Sequence, residues 1–230
     1  MAEKEVVFRR YHTIIVGSGA AGLNAAVRLH ELGQTDIAIL TEGLRMGTSR
    51  NTGSDKQTYY KLSIGGEASD SVRQMAATLF DGGCVDGDIA LAEAANSVRS
   101  FFHLVELGVP FPTNASGEYI GYKTDHDPIN RGTSAGPYTS KYMTEVLEKR
   151  VKADNIPIWD HHLAVRLLTR EEDGEKSAAG VIALDLSNPE EAQMAVFAAS
   201  NVIWATGGEA GMYQASVYPY AQSGATGVLF

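Results

Sequence analysis

The sequence has a single cysteine, Cys84, and that scarcity removes several kinds of chemistry at once. No internal disulfide can form, no iron–sulfur cluster can be held by this chain alone, and no cysteine-rich zinc site can be built. Positive charge is also short. With 19 Lys and Arg against 28 Asp and Glu, the formal charge of −9 leaves no basic field to draw in a phosphodiester backbone or an anionic lipid surface. Nucleic-acid binding and membrane-surface binding are therefore disfavoured. Long hydrophobic runs are missing too: no stretch reaches the roughly 18 consecutive apolar residues that a spanning helix needs, so no direct membrane insertion is expected. Arg9 and Arg10 precede an apolar stretch in the manner of a twin-arginine export signal, but Gly17, Gly19 and Gly22 break that stretch soon after Val16. A reducing cytoplasm and a small-molecule partner fit these absences.

What is present is an ordinary globular composition, 44% hydrophobic and 20% charged over 230 residues, which predicts one domain, 1–230, with one substantial core. Residues 12–16 (HTIIV) read as a buried strand, 20–32 as a helix with Leu23, Ala26, Val27 and Leu29 on its apolar side, and 36–41 (DIAILT) as a second strand. Strand, helix and strand within about 30 residues is the length of a parallel βαβ unit. Residues 43–66 turn polar and irregular. Helices are expected at 68–81, 87–107 and 138–152, and 108–136 reads as loop with at most a short hairpin, given Pro110, Pro112 and Pro128. Residues 156–160, 162–169, 178–186 and 193–199 are strand-like, with EEDGEK as a hairpin turn, and together suggest a small antiparallel meander. NVIWATGG (201–208) reads as one more buried strand that ends in a glycine turn.

The run IIVGSGAAG puts Gly17, Gly19 and Gly22 in the GxGxxG spacing, directly after a predicted strand and at the start of a predicted helix. The three glycines serve different ends. Gly17 permits the tight turn, Gly19 removes a side chain that would block a diphosphate, and Gly22 lets helix and strand approach closely. Ser18, Ala20 and Ala21 complete a turn whose free N–H groups and helix dipole favour negative charge. Glu42 stands at the end of the second strand, 20 residues after Gly22, where a carboxylate can accept bonds from both ribose hydroxyls of an ADP moiety and would repel a 2′-phosphate. FAD and NAD share that ADP half, so the motif by itself does not separate them.

With these motifs in place, the sequence resembles the flavoprotein subunits of succinate dehydrogenase and fumarate reductase, together with L-aspartate oxidase. The likeness runs through IIVGSGAAGL, GVIALD (180–185), VIWATGGEAGMY (202–213) and SGATG (223–227), a degraded form of the family's STGDG segment. It implies an α/β fold: a Rossmann-like FAD-binding domain of the glutathione-reductase type, with a parallel sheet and a small antiparallel β-meander, truncated before the capping domain. FAD is the implied cofactor, with its diphosphate on Ser18, Gly19, Ala20 and Ala21 and its adenosine ribose on Glu42. The backbone of Ala164 and Val165 would touch the adenine, and Ala205, Thr206 and Gly207 would close over the cofactor. Thr48, Ser49, Asn51, Gly53 and Ser54 in the polar loop would meet the ribityl chain and isoalloxazine, unless that loop is a plain surface excursion. The implied activity is hydride transfer at flavin N5 to or from a small carboxylate of the fumarate or succinate type, served by an electron-transfer partner subunit.

The departures from the family carry expectations of their own. Membrane-bound members often have a histidine that bonds covalently to the flavin where Arg50 stands here, so the FAD should be non-covalent. GSDKQ replaces the usual AQGG-like run, which keeps an amino acid, an enoate or a ketone open as the substrate. In relatives the capping domain, the arginine and histidine residues that clamp a dicarboxylate, and a second FAD segment all follow the region matched here. The resemblance thus implies an amino-terminal portion that holds cofactor without completing catalysis, and no catalytic residue is assigned. A non-catalytic portion that keeps only the nucleotide-binding fold is the alternative.

Four further features are read from local chemistry. Asp125, His126 and Asp127 form a turn before Pro128 rather than a metal-ligand set, because adjacent residues rarely converge on one ion. One of His161 and His162 faces the nucleotide and the other solvent, unless both are strand-edge residues. Arg131 belongs to RGTSAGPYTSK, which resembles a segment of relatives near flavin and substrate; an ordinary surface arginine is the equal alternative. Cys84 is expected to be buried.

Overall fold

The structure is a computed structural model, and it describes residues 6–54, 57–66, 69–124, 127–216, 218 and 224–229. In chain order the first elements are strand β1 (Val7–Val16), helix α1 (Ala20–Glu31), strand β2 (Ile37–Leu40), the one-turn helix α2 (Thr48–Asn51), strand β3 (Tyr59–Tyr60), and helices α3 (Val72–Asp81) and α4 (Gly87–Glu106). Strand β4 (Gly132–Thr133), helix α5 (Thr139–Ala153) and strands β5 (Ile158–Trp159), β6 (His162–Glu172), β7 (Glu175–Asp185) and β8 (Gln193–Trp204) follow. The chain divides into two compact units, Met1–Thr52 with Leu147–Phe230, and Gly53–Val146.

The first unit is built on a six-stranded sheet in the order β5-β2-β1-β8-β7-β6. β1 pairs in parallel with β2 (Val16 opposite Leu40) and with β8 (Val16 opposite Trp204), while β8, β7 and β6 run antiparallel to one another. Three of the four stretches expected in the meander form it as β6, β7 and β8, and β8 joins it to the parallel strands as one sheet; the first, Ile158–Trp159, instead pairs in parallel with β2 at the far edge. The two strands expected at 193–199 and 201–208 are in fact a single strand. Ser200 and Asn201 are exposed and read locally as a break, but the ladder to β1 continues from Ala199 to Asn201 through to Trp204. β1 also begins earlier than 12, because Val7–Tyr11 pairs with Ala195–Ala199. Ile14, Val16, Ala38, Leu40, Val181, Ala183 and Phe197 form one buried cluster on this sheet, and α1 buries Leu23, Ala26 and Val27. That apolar face fixes the helix, and with it the turn that precedes it. At the β6–β7 hairpin Asp173 and Gly174 both take positive φ, 53° and 80°, the backbone that a two-residue turn between twisted strands requires.

The second unit pairs α3 with α4. Ser71 caps α3 by accepting the Gln74 N–H at 3.2 Å, and Asp86 caps α4 by accepting the N–H groups of Asp88 and Ile89. β3 and β4 form a two-stranded antiparallel ladder, Tyr59 opposite Thr133, and Tyr59, Phe101, Phe111 and Tyr119 stack edge to face or tilted beside it. Arg131 is fully buried here, so it is no surface arginine. Its Nε and Nη2 donate to the two carboxylate oxygens of Asp70 at 2.8 and 2.7 Å, and Nη1 reaches Tyr60, Thr78 and Asp127. Asp127 also accepts the Ile129 N–H, which is the expected turn; Asp125 and His126 lie outside the described residues. Cys84 is exposed, not buried: it sits at φ 60° in the connection between α3 and α4, whose tight turn holds it away from the helix contact. Among the described residues no helix is long and apolar enough to cross a membrane.

Candidate functional site

At the carboxyl ends of β1, β2 and β8, and at the amino end of α1, lies a cleft of about 520 Å³ inside the first unit. This is where parallel sheets bind ligands, and the volume suits a small-molecule site. Its floor is the turn Gly17–Ala21. Gly17 takes φ +107°, and a Cβ there would run into the Ala205 carbonyl; a Cβ on Gly22 would run into the Gly17 carbonyl. Those two glycines are demanded by the protein's own backbone packing. Gly19 is different: its φ is −75°, and an added Cβ would meet only Ser49 Oγ, at 3.8 Å. Nothing in the fold requires a glycine there, so its missing side chain is room left for something that enters the cleft. The amino end of α1 has no side-chain cap and no acidic residue in its first turn, so its N–H groups are free to meet an anion.

Ser18 lies in the same turn. Its side chain is buried and shares a 2.8 Å hydrogen bond with the Thr41 hydroxyl, and the same Oγ also lies within reach of the Gly43 and Leu44 carbonyls. This bond ties the glycine turn to the end of β2 and so fixes the start of the segment that carries Glu42. Sequence reasoning missed Thr41, although a hydroxyl directly before the acid at a strand end is visible in TEG. Glu42 is exposed and lines the cleft. Asp160 holds the following segment by accepting the Leu44 N–H at 2.9 Å.

The lining also includes Gly47, Thr48 and Ser49 from the polar segment, Ala164 from β6, and Ala205, Thr206 and Gly207 after β8. Ala205 N–H donates to the Val16 carbonyl at 2.7 Å, which extends the β1–β8 ladder into the turn. Of the two histidines, His162 is buried and lines the cleft, while His161 is exposed. His162 Nδ1 lies 2.7 Å from the Asp160 carbonyl, and its ring meets Trp159 and Phe197 edge to face. Gly224 and Ala225, from the SGATG segment, line the cleft as well; Ser223 lies outside the described residues.

Three expected contacts stand elsewhere. Asn51 Nδ2 donates to the Arg45 and Gly47 carbonyls at 2.6 and 3.0 Å and so braces the segment from within. Gly53 and Ser54 belong to the second unit, where Gly53 stands against the Tyr138 ring and Ser54 N–H donates to Pro137 O. The Val165 side chain is 39% exposed, and the contact expected of this residue runs through its backbone.

A larger concavity of about 1190 Å³ lies within the second unit, beside α3 and α4. Its described lining carries Asp81, Glu93 and Asp127 with no lysine or arginine and has no glycine turn at a helix start, so it would repel a diphosphate. The smaller cleft, lined by free N–H groups at a helix start, is the one that fits the chemistry. Among the described residues no group of His, Cys, Asp and Glu could hold a metal ion.

A glycine turn that opens onto a helix, with an acid at the next strand's end, defines a protein that binds an adenine dinucleotide by its diphosphate. The family model for the FAD binding domain matches residues 12–228, and the chain belongs to that family; FAD is its cofactor. It is similar to L-aspartate oxidase of Yersinia pestis, 27% identical over 218 residues, covering 92% of this chain and 40% of that protein. Its fold is that of Mycobacterium smegmatis Sdh1 (TM-score 0.80, 18% identity, 94% of this chain and 37% of that one). E. coli quinol fumarate reductase FrdA is also similar (TM-score 0.76, 19% identity, 91% and 34%). The chain thus spans about two fifths of the length of that L-aspartate oxidase and a little over a third of those two solved chains.

Proposed function

We propose that this chain is the cofactor-holding part of a flavin-dependent oxidoreductase acting on a small carboxylate of the four-carbon dicarboxylate type. The observation that carries the cofactor half is the steric freedom at Gly19 between two glycines that have none. The diphosphate lies over Gly17–Ala21 on backbone N–H groups, Glu42 grips the adenosine ribose, and the backbone of Ala164 and Val165 borders the adenine. Thr48 and Ser49 face the ribityl side, with Asn51, Gly53 and Ser54 further along the same segment, and Ala205, Thr206 and Gly207 close the other wall. Flavin supplies hydride chemistry that amino-acid side chains lack; the residues here bind it, orient it and shield it. The cofactor is held non-covalently, since Arg50 offers no ring nitrogen to attack the flavin and is ion-paired to Glu148.

The substrate class rests on what the relatives are named for: L-aspartate oxidase in one and fumarate reductase in another, which share a four-carbon dicarboxylate skeleton. An electron-transfer partner subunit and a cytoplasmic setting belong to the same reading, the latter supported by a lone cysteine. Purified protein given FAD should retain a yellow chromophore after desalting. Steady-state assay of the longest form that the reading frame encodes should show oxidation of L-aspartate, or reduction of fumarate by reduced viologen; bound flavin with neither activity would overturn the substrate class.

A further inference from the structure

The segment Gly43–Asn51 lines the cleft yet has almost no apolar side chain to anchor it, so its order must come from polar contacts. Glu148 on α5 supplies two of them. The residue is 5% exposed, with Oε2 at 3.2 Å from Arg50 Nη2 and Oε1 at 3.5 Å from Arg45 Nη2; Lys152, one turn along α5, reaches Oε1 at 2.5 Å. Arg45 and Arg50 bracket Met46–Ser49, all of which line the cleft. Between them, Gly47 comes so close to the diphosphate turn that a Cβ on it would be 3.4 Å from Gly19 Cα.

We propose that Glu148 is a positioning residue for the cofactor: by holding Arg45 and Arg50 it sets Gly47–Ser49 against Gly19, and so shapes the wall that meets the diphosphate and ribityl chain of FAD. A buried acid with a cation from each flank of the segment fixes two points of it, and the turn between has little freedom left. The pair with Arg50 carries more than the pair with Arg45, whose side chain is 68% exposed and screened by solvent. Lys152 neutralises the same acid without touching the segment. The arrangement also accounts for the arginine at position 50, which serves the cofactor from a distance through the backbone that it anchors.

The inference rests on the reading that this cleft holds FAD, and the experiment separates the two. FAD affinity is measured by flavin fluorescence for the wild type, Glu148→Gln, Glu148→Asp, Arg50→Gln, the double variant and Lys152→Gln, with melting temperatures and rates of tryptic cleavage after Arg45 in the apo proteins, and after Arg50 where that arginine is kept. Glu148→Gln and Arg50→Gln should each weaken FAD about tenfold, and the double variant should be no weaker than either single one, because both remove the same tie. Glu148→Asp should recover most of the affinity, Lys152→Gln should stay within about twofold, and tryptic cleavage should speed up with the loss of affinity. Wild-type FAD binding with Glu148→Gln within about twofold, or a double loss equal to the product of the singles, overturns the positioning role. Should Glu148→Gln not fold, Arg50→Gln and Glu148→Asp decide by the same criteria. If the wild type itself retains no FAD, the cofactor reading falls, and the cleavage rates at Arg45 and Arg50 still test whether Glu148 orders the segment.

Discussion

Replacing the three glycines of the turn one at a time separates what the fold needs from what the ligand needs. Alanine at Gly22 drives a methyl group into the Gly17 carbonyl, and alanine at Gly17 meets the Ala205 carbonyl at a φ of +107° that side chains rarely adopt. Backbone oxygens cannot swing aside like flexible side chains, so each change should cost about 2–4 kcal/mol from overpacking and strain. In a chain of this size that lowers the melting temperature by roughly 5–15 °C. Gly19→Ala introduces a methyl into ordinary contact distance of Ser49 Oγ at an unstrained φ of −75°. The apo protein should then be as stable as the wild type, or about 0.5 kcal/mol more stable, because alanine restricts the unfolded chain. The same methyl occupies the place of the diphosphate, so FAD affinity should fall by about a hundredfold or more, since backbone donors cannot reach past it. Thermal melts of the apo proteins and flavin fluorescence titrations measure the two effects. If Gly19→Ala bound FAD like the wild type, the diphosphate would not lie over this turn, and if it melted as low as Gly22→Ala, the steric distinction among the glycines would be wrong.

Glu42→Gln should weaken FAD by about tenfold, the usual worth of a charged acceptor to a hydroxyl, and should narrow the gap between ADP and 2′-phospho-ADP in a competition assay. Ser18→Ala should cost about 1 kcal/mol in the melt through the lost Thr41 bond, while FAD affinity stays within about threefold because the diphosphate meets only the backbone N–H at this position. In the second unit, Arg131→Met would strand the Asp70 and Asp127 carboxylates in the interior and should destabilise by about 3–5 kcal/mol, read by denaturant unfolding. Asp70 also carries a pH signature. Burial pushes its carboxyl up, but Arg131 and the Ser63 and Ser71 N–H groups outweigh that and hold it below its ordinary 3.8. Its contribution is therefore complete above that value and is lost as pH falls through the lower, folded one, so Asp70→Asn should flatten the acid limb of the stability curve below about pH 4.

Where the sequence is legible, local chemistry and long-range geometry agree. β1, α1 and β2 announce themselves because an apolar period, a glycine spacing and a terminal acid all point to one arrangement, and the three glycines then stand where the motif puts them. β8 reads as two strands because Ser200 and Asn201 are polar and exposed, as a turn would be. Only the parallel ladder to β1, nearly two hundred residues away in sequence, carries the strand through them. The meander is visible as the last three of four apolar stretches, but its fusion with the parallel strands is not, since that depends on the same β8; nor is the placement of Ile158–Trp159, which only its parallel ladder to β2 decides.

Arg131 and Glu148 show why side-chain placement is harder to read than the backbone. Nothing near Arg131 distinguishes it from a surface arginine; its partner Asp70 lies 61 residues away, and the site exists only once the chain has brought Tyr60, Thr78 and Asp127 around it. Glu148 looks like any helix glutamate, and Arg45 and Arg50 like any loop cations, until the fold joins them across about a hundred residues. Sequence motifs record the backbone shapes that a cofactor imposes, because those need glycine at fixed positions. The ion pairs that hold those shapes in place leave no fixed spacing, since any acid on the right face of α5 could hold the same cations. A Glu148→Ala, Lys152→Glu chain, its carboxylate moved one turn along the same helix, should therefore recover part of the FAD affinity if the charge matters more than the residue that carries it. No recovery, with the fold intact, would mean that the bidentate geometry at position 148 is itself required.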